Sequence, residues 1–305
     1  EEIGGWQGAR CIVEELKSRG VRLAAVLDEG GAITEGMLPG LALPIGLVGV
    51  AEKGHTSVHL VVEGRPGHSS MPAPHTAIGI LARAITRLES HPMPANLNMV
   101  KLMFRDVGTF LPFSLRLALA NTWLFGGTIL KRLQGSPTTN AMVRTTMAAT
   151  VIQGGIKDNV LPAHASAVVN CRLLPGNTSA IVHDYIRDVV SDDAVQISAP
   201  AESTWEPSPV SPVDSPVYQN LSRAIRQIFP DVVVAPYLVA GATDARYYAA
   251  LSDHVYRFSP YKVDGDLLKT MHGINERIPV EQLAKMVQFY SLLIKSWTTV
   301  VGSVD

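Results

Sequence analysis

Residues 21–31, Val-Arg-Leu-Ala-Ala-Val-Leu-Asp-Glu-Gly-Gly, decide the fold class. The apolar run 21–27 reads as a short buried strand, and it runs through Asp28 into a turn rich in acid and glycine. Just before it, residues 9–19 (ARCIVEELKSR) carry apolar and charged side chains at helical spacing until Gly20 stops them. A helix followed by a strand with an acidic turn at its carboxyl end is the pattern of an open α/β sheet. Ligands of such sheets gather at the strand C-termini. The pattern returns late in the chain. A helix from 217 (VYQNLSRAIRQIF), a strand (VVVAPYLV), a Gly-Ala-Thr-Asp loop and a C-terminal helix (VEQLAKMVQFYSLLIKSW) follow one another.

The middle of the chain reads differently. Residues 55–63 alternate as a half-buried strand, 64–70 form a loop, and 74–89 form an amphipathic helix. Two β-rich runs follow at 141–153 and 163–173, with Gly154-Gly155 between them, then a helix at 179–190 and a strand at 194–198. The order β-α-β-β-α-β predicts a ferredoxin-like domain inserted into the α/β domain. The Pro/Ser-rich stretch 199–216 reads as the return linker. The expected organisation is therefore 1–52 and 201–305 as two parts of one α/β domain, with 53–200 inserted between them. No internal repeat is visible. Residues 100–135 interrupt the insert with an apolar stretch whose longest charge-free run, Leu117 to Leu130, is 14 residues. About 20 are needed to cross a bilayer, so the expectation is a buried helical hairpin or a substrate-facing wall, and no transmembrane span.

Composition narrows the chemistry. The 305 residues carry 26 Lys+Arg against 27 Asp+Glu, a net charge of −1, which gives no basic excess for phosphate binding and argues against a nucleic-acid partner. Two cysteines, Cys11 and Cys171, exclude a disulfide scaffold and a Cys-rich zinc module. The first residue is Glu1, not Met, and no charged leader with an apolar core precedes the first helix, so the chain reads as a piece of something longer. Nine histidines are present, and two stand in unusual surroundings. His68 lies in the glycine-containing turn Gly64-Arg65-Pro66-Gly67-His68-Ser69-Ser70, and His272 lies in Met271-His272-Gly273-Ile274-Asn275-Glu276. An acid at a strand end, the Glu1-Glu2 pair and a distant histidine are the donor types of a zinc site that keeps a position open for water. The same residues also suit a solvated chain end (Glu1, Glu2) and a turn or cap (Asp28).

Eight segments, taken in order, carry a resemblance. They are Glu-Glu-Ile-Gly-Gly at 1–5, Val-Leu-Asp-Glu-Gly-Gly at 26–31, Gly-Arg-Pro-Gly-His-Ser-Ser-Met-Pro at 64–72 and Pro-Thr-Thr-Asn-Ala-Met-Val-Arg-Thr-Thr at 137–146. Lys-Asp-Asn-Val-Leu-Pro at 157–162, Cys-Arg-Leu-Leu-Pro-Gly at 171–176, Gly-Ala-Thr-Asp-Ala-Arg at 241–246 and Met-His-Gly-Ile-Asn-Glu at 271–276 complete the set. Over essentially its whole length the chain resembles the di-zinc amidohydrolases of metallopeptidase family twenty, the aminoacylase/carboxypeptidase group, and within it the carboxypeptidase S and N-fatty-acyl-amino-acid synthase/hydrolase branch. The resemblance implies a zinc-peptidase-like catalytic domain with an inserted lid and dimerisation domain, and a homodimer formed through that lid.

It also implies roles. Glu1 matches the general base. Glu2 and His272 match ligands of one zinc, and Asp28 a ligand of the second. His68 matches the lid histidine that stabilises the oxyanion, Asn159 and Arg172 match lid residues that hold the substrate's carboxylate, and Gly241 and Thr243 match the loop lining the cleft. The family's His-x-Asp element and its bridging aspartate lie upstream of the Glu-Glu pair and have no counterpart among these 305 residues. The expected dinuclear site is therefore incomplete in this chain, and the expectation is a fragment inactive on its own. The expected function is metal-dependent hydrolysis of an N-acyl amino acid or a C-terminal peptide bond, the apolar 100–135 stretch favouring a greasy acyl group. The alternative is a non-catalytic homologue or fragment serving as a dimerisation or binding module.

Overall fold

Strict alternation makes residues His164–Leu173 a strand. Ala165, Ala167, Val169, Cys171 and Leu173 turn to one face and are buried, and the residues between them turn to the other. The computed structural model of the protein describes residues 4–36, 41–268, 270 and 273–301. Among them, His164–Leu173 pairs antiparallel along its full length with Gly54–Glu63, from Gly54↔Leu173 to Glu63↔His164. Thr146–Gly154 pairs with the other side of His164–Leu173, with a bulge between Ala149 and Val151. Val195–Ser198 and Thr204–Trp205 line the outer edge of Gly54–Glu63. Two helices, Ala77–Ser90 and Ser179–Val190, cover the apolar face, presenting Ala77, Leu81, Ala84 and Leu88 and, at every fourth position, Val182, Ile186 and Val190. Each starts on a threonine whose hydroxyl oxygen accepts an orphan backbone N–H, Thr76 from Gly79 and Thr178 from Ile181. The Cys171 thiol lies in this core, where burial pushes its pKa up to about 12, and both cysteines are free.

The β-α-β-β-α-β order is present with three local differences. The run expected as β from residue 141 opens as a helix, Pro137–Val143. Ser136 caps it and Pro137 occupies its first turn, so the strand begins only at Thr146. The 64–70 loop holds a two-residue strand, Gly67–His68, paired with Val160–Leu161. The return linker adds Thr204–Trp205 to the sheet.

The second sheet is mixed, and its centre is Ile45–Glu52, all eight residues buried. Val233–Val239 runs parallel to it on one side; Ile33–Thr34 and Val255–Arg257 run antiparallel on the other. Val26–Asp28 lies parallel to Val255–Arg257 and Lys262–Val263 parallel to Ile33–Thr34. The strand expected at 21–27 is thus confined to its last residues; before it, Leu23 N–H donates to the Leu251 carbonyl instead of joining a ladder. Helix Pro216–Ile228, capped by Ser215, buries Tyr218, Leu221, Ala224 and Ile225, and helix Val280–Val301 buries Phe289 and Leu293.

The chain divides into two compact units, Lys53–Asn96 with Ser136–Pro207, and the remainder. Leu97–Gly135 groups with the remainder, whereas the sequence reading set 100–135 inside the insert. The reason is packing. Helix Asn98–Val107 buries Met99, Val100 and Val107, and Val107 shares a core with Leu41, Ile45, Leu47, Val233 and Ala235. A helical hairpin does follow, Phe113–Ala120 and Thr122–Leu133, but neither helix buries a single residue. The expectation of a buried hairpin is corrected accordingly.

Ile186→Ala removes a fully buried side chain between helix and sheet and is expected to cost about 2–5 kcal/mol in urea unfolding. Ile181→Ala, on the exposed side of the same helix, is expected to stay within about 0.5 kcal/mol.

Candidate active site

Asp28 ends its strand directly opposite Arg257. The turn after it has room for glycine alone: Gly30 has φ +115°, and a Cβ on Gly31 would stand 2.0 Å from the Leu47 carbonyl oxygen. This fixes the Asp28 carboxylate at the strand end. Its Oδ1 accepts the Glu29 N–H at 2.9 Å and its Oδ2 the Ala245 N–H at 2.6 Å, which leaves a further lone pair on each oxygen.

Thr243, two residues before Ala245, is held by a second carboxylate. Glu52 ends the central strand and is 1% exposed. Its Oε2 accepts the Thr243 N–H (3.0 Å), the Thr243 hydroxyl (2.8 Å) and Arg257 Nε–H (3.2 Å). Burial pushes the Glu52 carboxyl up, and Arg257 and Thr243 work against that shift. Burial likewise lowers Arg257, which Glu52 and then Asp28 oppose. Glu52 Oε1 and Arg257 Nη2 are buried without a hydrogen-bond partner among the described residues. The 241–245 loop is therefore clamped at Thr243 by Glu52 and at Ala245 by Asp28, while Gly241 stays exposed with open space around it.

One more sequence segment reaches the residues after this loop, and two acidic segments converge at Tyr261. The Gly4 carbonyl accepts from Arg246 Nη2 (2.7 Å) and from the Tyr247 hydroxyl (2.6 Å), which ties the start of the chain to the residues after Ala245. The Tyr261 phenol is pushed up by burial and then by the carboxylates of Glu29 and Glu276, one from each of the 26–31 and 271–276 segments. Glu1, Glu2 and His272 themselves lie outside the described residues. Of the expected zinc ligands only Asp28 is described, and no group of three His, Cys, Asp or Glu side chains suited to a metal forms among the described residues.

In the other unit the Gly67–His68 strand brings His68 and Asn159 together. His68 pairs with Val160, and Ser69 N–H donates to the Asn159 carbonyl at 3.2 Å. Ser70 N–H lies 3.2 Å and the Ser70 hydroxyl 2.9 Å from His68 Nδ1, so both groups hold the ring at that nitrogen. Arg172 lies on the adjacent sheet, half-buried, opposite His55 and Thr146. Sequence reasoning missed its neighbour Lys53. That side chain is 1% exposed and its ammonium donates to the Ala141 and Arg144 carbonyls at 2.9 Å each, at the end of helix Pro137–Val143. Burial, and then Arg172, lower its pKa to about 8. Neither Lys53 nor Arg172 has a salt bridge among the described residues. Glu52 and Arg257 were missed too. Their one signal was an acid closing an apolar run at 45–51, the same feature that marks Asp28.

Arg257→Met strands the buried Glu52 charge and is expected to cost about 3–5 kcal/mol in urea unfolding, with Glu52→Gln in the same chain restoring part of it. Lys53 gives a pH test. Between pH 8 and 10.5 the unfolded chain holds the Lys53 proton and the folded chain has lost it, so Lys53's contribution to unfolding free energy rises with pH across that window. Subtracting the Lys53→Met profile from that of the unaltered chain is expected to show this rise.

Comparison with known proteins agrees with this layout. The peptidase dimerisation domain model of the M20 peptidases matches residues 50–198. The chain is 43% identical over 305 residues to the N-fatty-acyl-amino acid synthase/hydrolase PM20D1 of Xenopus tropicalis, covering 98% of this chain and 59% of the relative. It is 38% identical to carboxypeptidase S-like 2 of Dictyostelium discoideum, over 97% of this chain and 57% of the relative. It thus spans about three fifths of the length of these relatives. The M20 family metallo-carboxypeptidase Sso-CP2 from Sulfolobus solfataricus shares the fold, with a TM-score of 0.62 at 18% identity over 97% of this chain and 68% of that one. Sequence and fold agree in relating the chain to the M20 peptidases, with the family's dimerisation domain at 50–198 and kinship to its carboxypeptidase S-like and N-fatty-acyl-amino acid synthase/hydrolase members.

Proposed function

We propose that the protein is a metal-dependent amidohydrolase that cleaves an N-acyl amino acid or a C-terminal peptide bond with water. The observation that carries this reading is the Asp28 carboxylate, fixed at a strand end and tied through Ala245 to a loop that also holds the chain start at Gly4. Kinship to the M20 peptidases supports hydrolase chemistry in general. Zinc at this site, with Glu2 and His272 as ligands of one ion and Asp28 of the second, would polarise the scissile carbonyl and lower the pKa of water.

The remaining roles belong to side chains. Glu1 takes the proton of the attacking water and passes it to the leaving amine. His68 offers a ring N–H to the carbonyl oxygen as negative charge develops there. Arg172, which no described acid neutralises, meets the substrate's carboxylate in fork geometry, and Asn159 serves as a second group holding that carboxylate. Gly241 lines the cleft where no side chain intrudes, and Thr243 sets the loop's position through Glu52. The order of the Lys53–Asn96 and Ser136–Pro207 unit supports reading it as a ferredoxin-like lid, with catalytic parts 1–52 and 201–305 around it, and the matched dimerisation model supports a homodimer formed through the lid. That match, and the three-fifths coverage of the relatives, also favour the second reading, a non-catalytic dimerisation module.

Hydrolysis of N-oleoyl-phenylalanine, compared with that of a dipeptide, tests the first reading. Cleavage of the acyl amino acid is expected where the missing His-x-Asp and bridging aspartate are supplied by a longer parent chain, and is lost there in Asp28→Asn; no cleavage of either substrate by that longer chain when it is dimeric supports the second reading. Arg172→Lys is expected to raise KM roughly tenfold for substrates with a free carboxylate and to leave kcat nearly unchanged, because fork geometry is lost while the charge stays.

A further inference from the structure

The hairpin Phe113–Ala120 and Thr122–Leu133 is the least explained part of the molecule. It is made of apolar side chains that the fold leaves in solvent. Trp123 is 82% exposed, Phe113 75%, Leu124 60% and Leu117 48%, on two helices that pack against each other. Single exposed apolar residues are ordinary, but a group of them on one short hairpin marks an interaction surface.

Charge indicates the partner. No acidic residue occurs from Val107 to Lys157, while Arg116 lies on the first helix and Lys131 and Arg132 close the last turn of the second. Beside the hairpin, a groove of about 540 Å³ is lined by Lys101 and Arg116 together with Phe104 and Phe113, and by Arg105, which is paired with Asp106 at 3.0 Å. The helices are 8 and 12 residues long, and no helix among the described residues is long and apolar enough to cross a membrane. Exposed Trp, Phe and Leu, flanking cations, no acids and helices too short to span are the features of a segment that lies in the plane of an anionic lipid surface.

We propose that the Phe113–Leu133 hairpin docks the protein on an anionic lipid bilayer. Trp123, Phe113 and Leu124 enter the boundary between head groups and acyl chains, and Arg116, Lys131 and Arg132 meet the lipid phosphates. The proposal is independent of the hydrolase reading, because its readout is binding and not turnover.

The test is flotation of the full chain with phosphatidylcholine vesicles, with and without about 30% phosphatidylglycerol. The chain is expected to float with the anionic vesicles, to be released at about 0.5 M NaCl, and to bind neutral vesicles about tenfold less. The double variant Trp123→Ser with Leu124→Ser is expected to lose about tenfold in binding, with unchanged circular dichroism since both side chains are exposed. Lys131→Glu with Arg132→Glu is expected to lose the anionic preference. Equal binding to neutral and anionic vesicles, or flotation of the Trp123/Leu124 variant like the unaltered chain, would overturn the proposal. So would light scattering in which that variant loses self-association while neither protein floats, which would make the hairpin a contact between copies of the chain.

Discussion

Everything at the candidate site hangs on the buried pair between Glu52 and Arg257. Both side chains are almost wholly removed from water, so each charge carries a large desolvation cost that only the other charge and well-placed hydrogen bonds can offset. Thr243 supplies two of those bonds, and in doing so its loop is drawn onto the end of the central strand. The same loop then presents Ala245 N–H to Asp28, and Arg257 sits opposite Asp28 in the sheet. A pair that contributes little net stability thus sets position: remove either charge and the loop, the Asp28 carboxylate and the Gly4 anchor lose their common reference.

The other unit obeys a simpler rule. Alternation puts Val58, Leu60 and Val62 of one strand and five residues of its neighbour under two helices, and the opposite parity is left for polar work. On that polar side His55 stacks on Trp205 at 4.4 Å and joins Asn170, and Arg172 stands opposite His55. Lys53, the first residue of this unit, follows Glu52, the last residue of the central strand of the other. Adjacent opposite charges are therefore each buried within their own unit, the acid on a loop and the base on a helix end.

Local pattern made most of the second unit legible. The alternation at 55–63 and 163–173 and the four-residue spacing at 179–190 each encode one element in one short window. At 137–143 the Ser-Pro start, a cap and a first-turn proline, outweighs the β-rich composition that follows. Ile45–Glu52 escaped notice for the opposite reason. A strand buried on both faces has no alternation, and Gly46 and Gly49 look like turn residues. They are glycines because neighbours press on them, with Val239 Cγ2 only 2.6 Å from where a Gly49 Cβ would be. The 113–133 hairpin shows that apolar composition is not burial. At the site, Asp28 was legible from its strand end and its two glycines. Of the Glu52–Arg257 pair, 205 positions apart, only the acid closing the apolar run has a local signature, and nothing local links it to Arg257. The residue types alone suggest a zinc site but leave the roles open, since a Glu-Glu pair and a lone histidine are chemically ambiguous; family resemblance alone gives Glu1 the role of general base and Glu2 and His272 those of ligands.

The central claim is that Glu2, Asp28 and His272 serve one metal centre. X-ray absorption at the zinc edge of the zinc-loaded chain tests it most directly. The account predicts a nitrogen and oxygen shell without sulfur, in which the outer-shell imidazole scattering disappears in His272→Ala and the oxygen shell changes in Asp28→Ala. Zinc bound through Cys11 or Cys171 sulfur, or a spectrum that neither substitution alters, would contradict it.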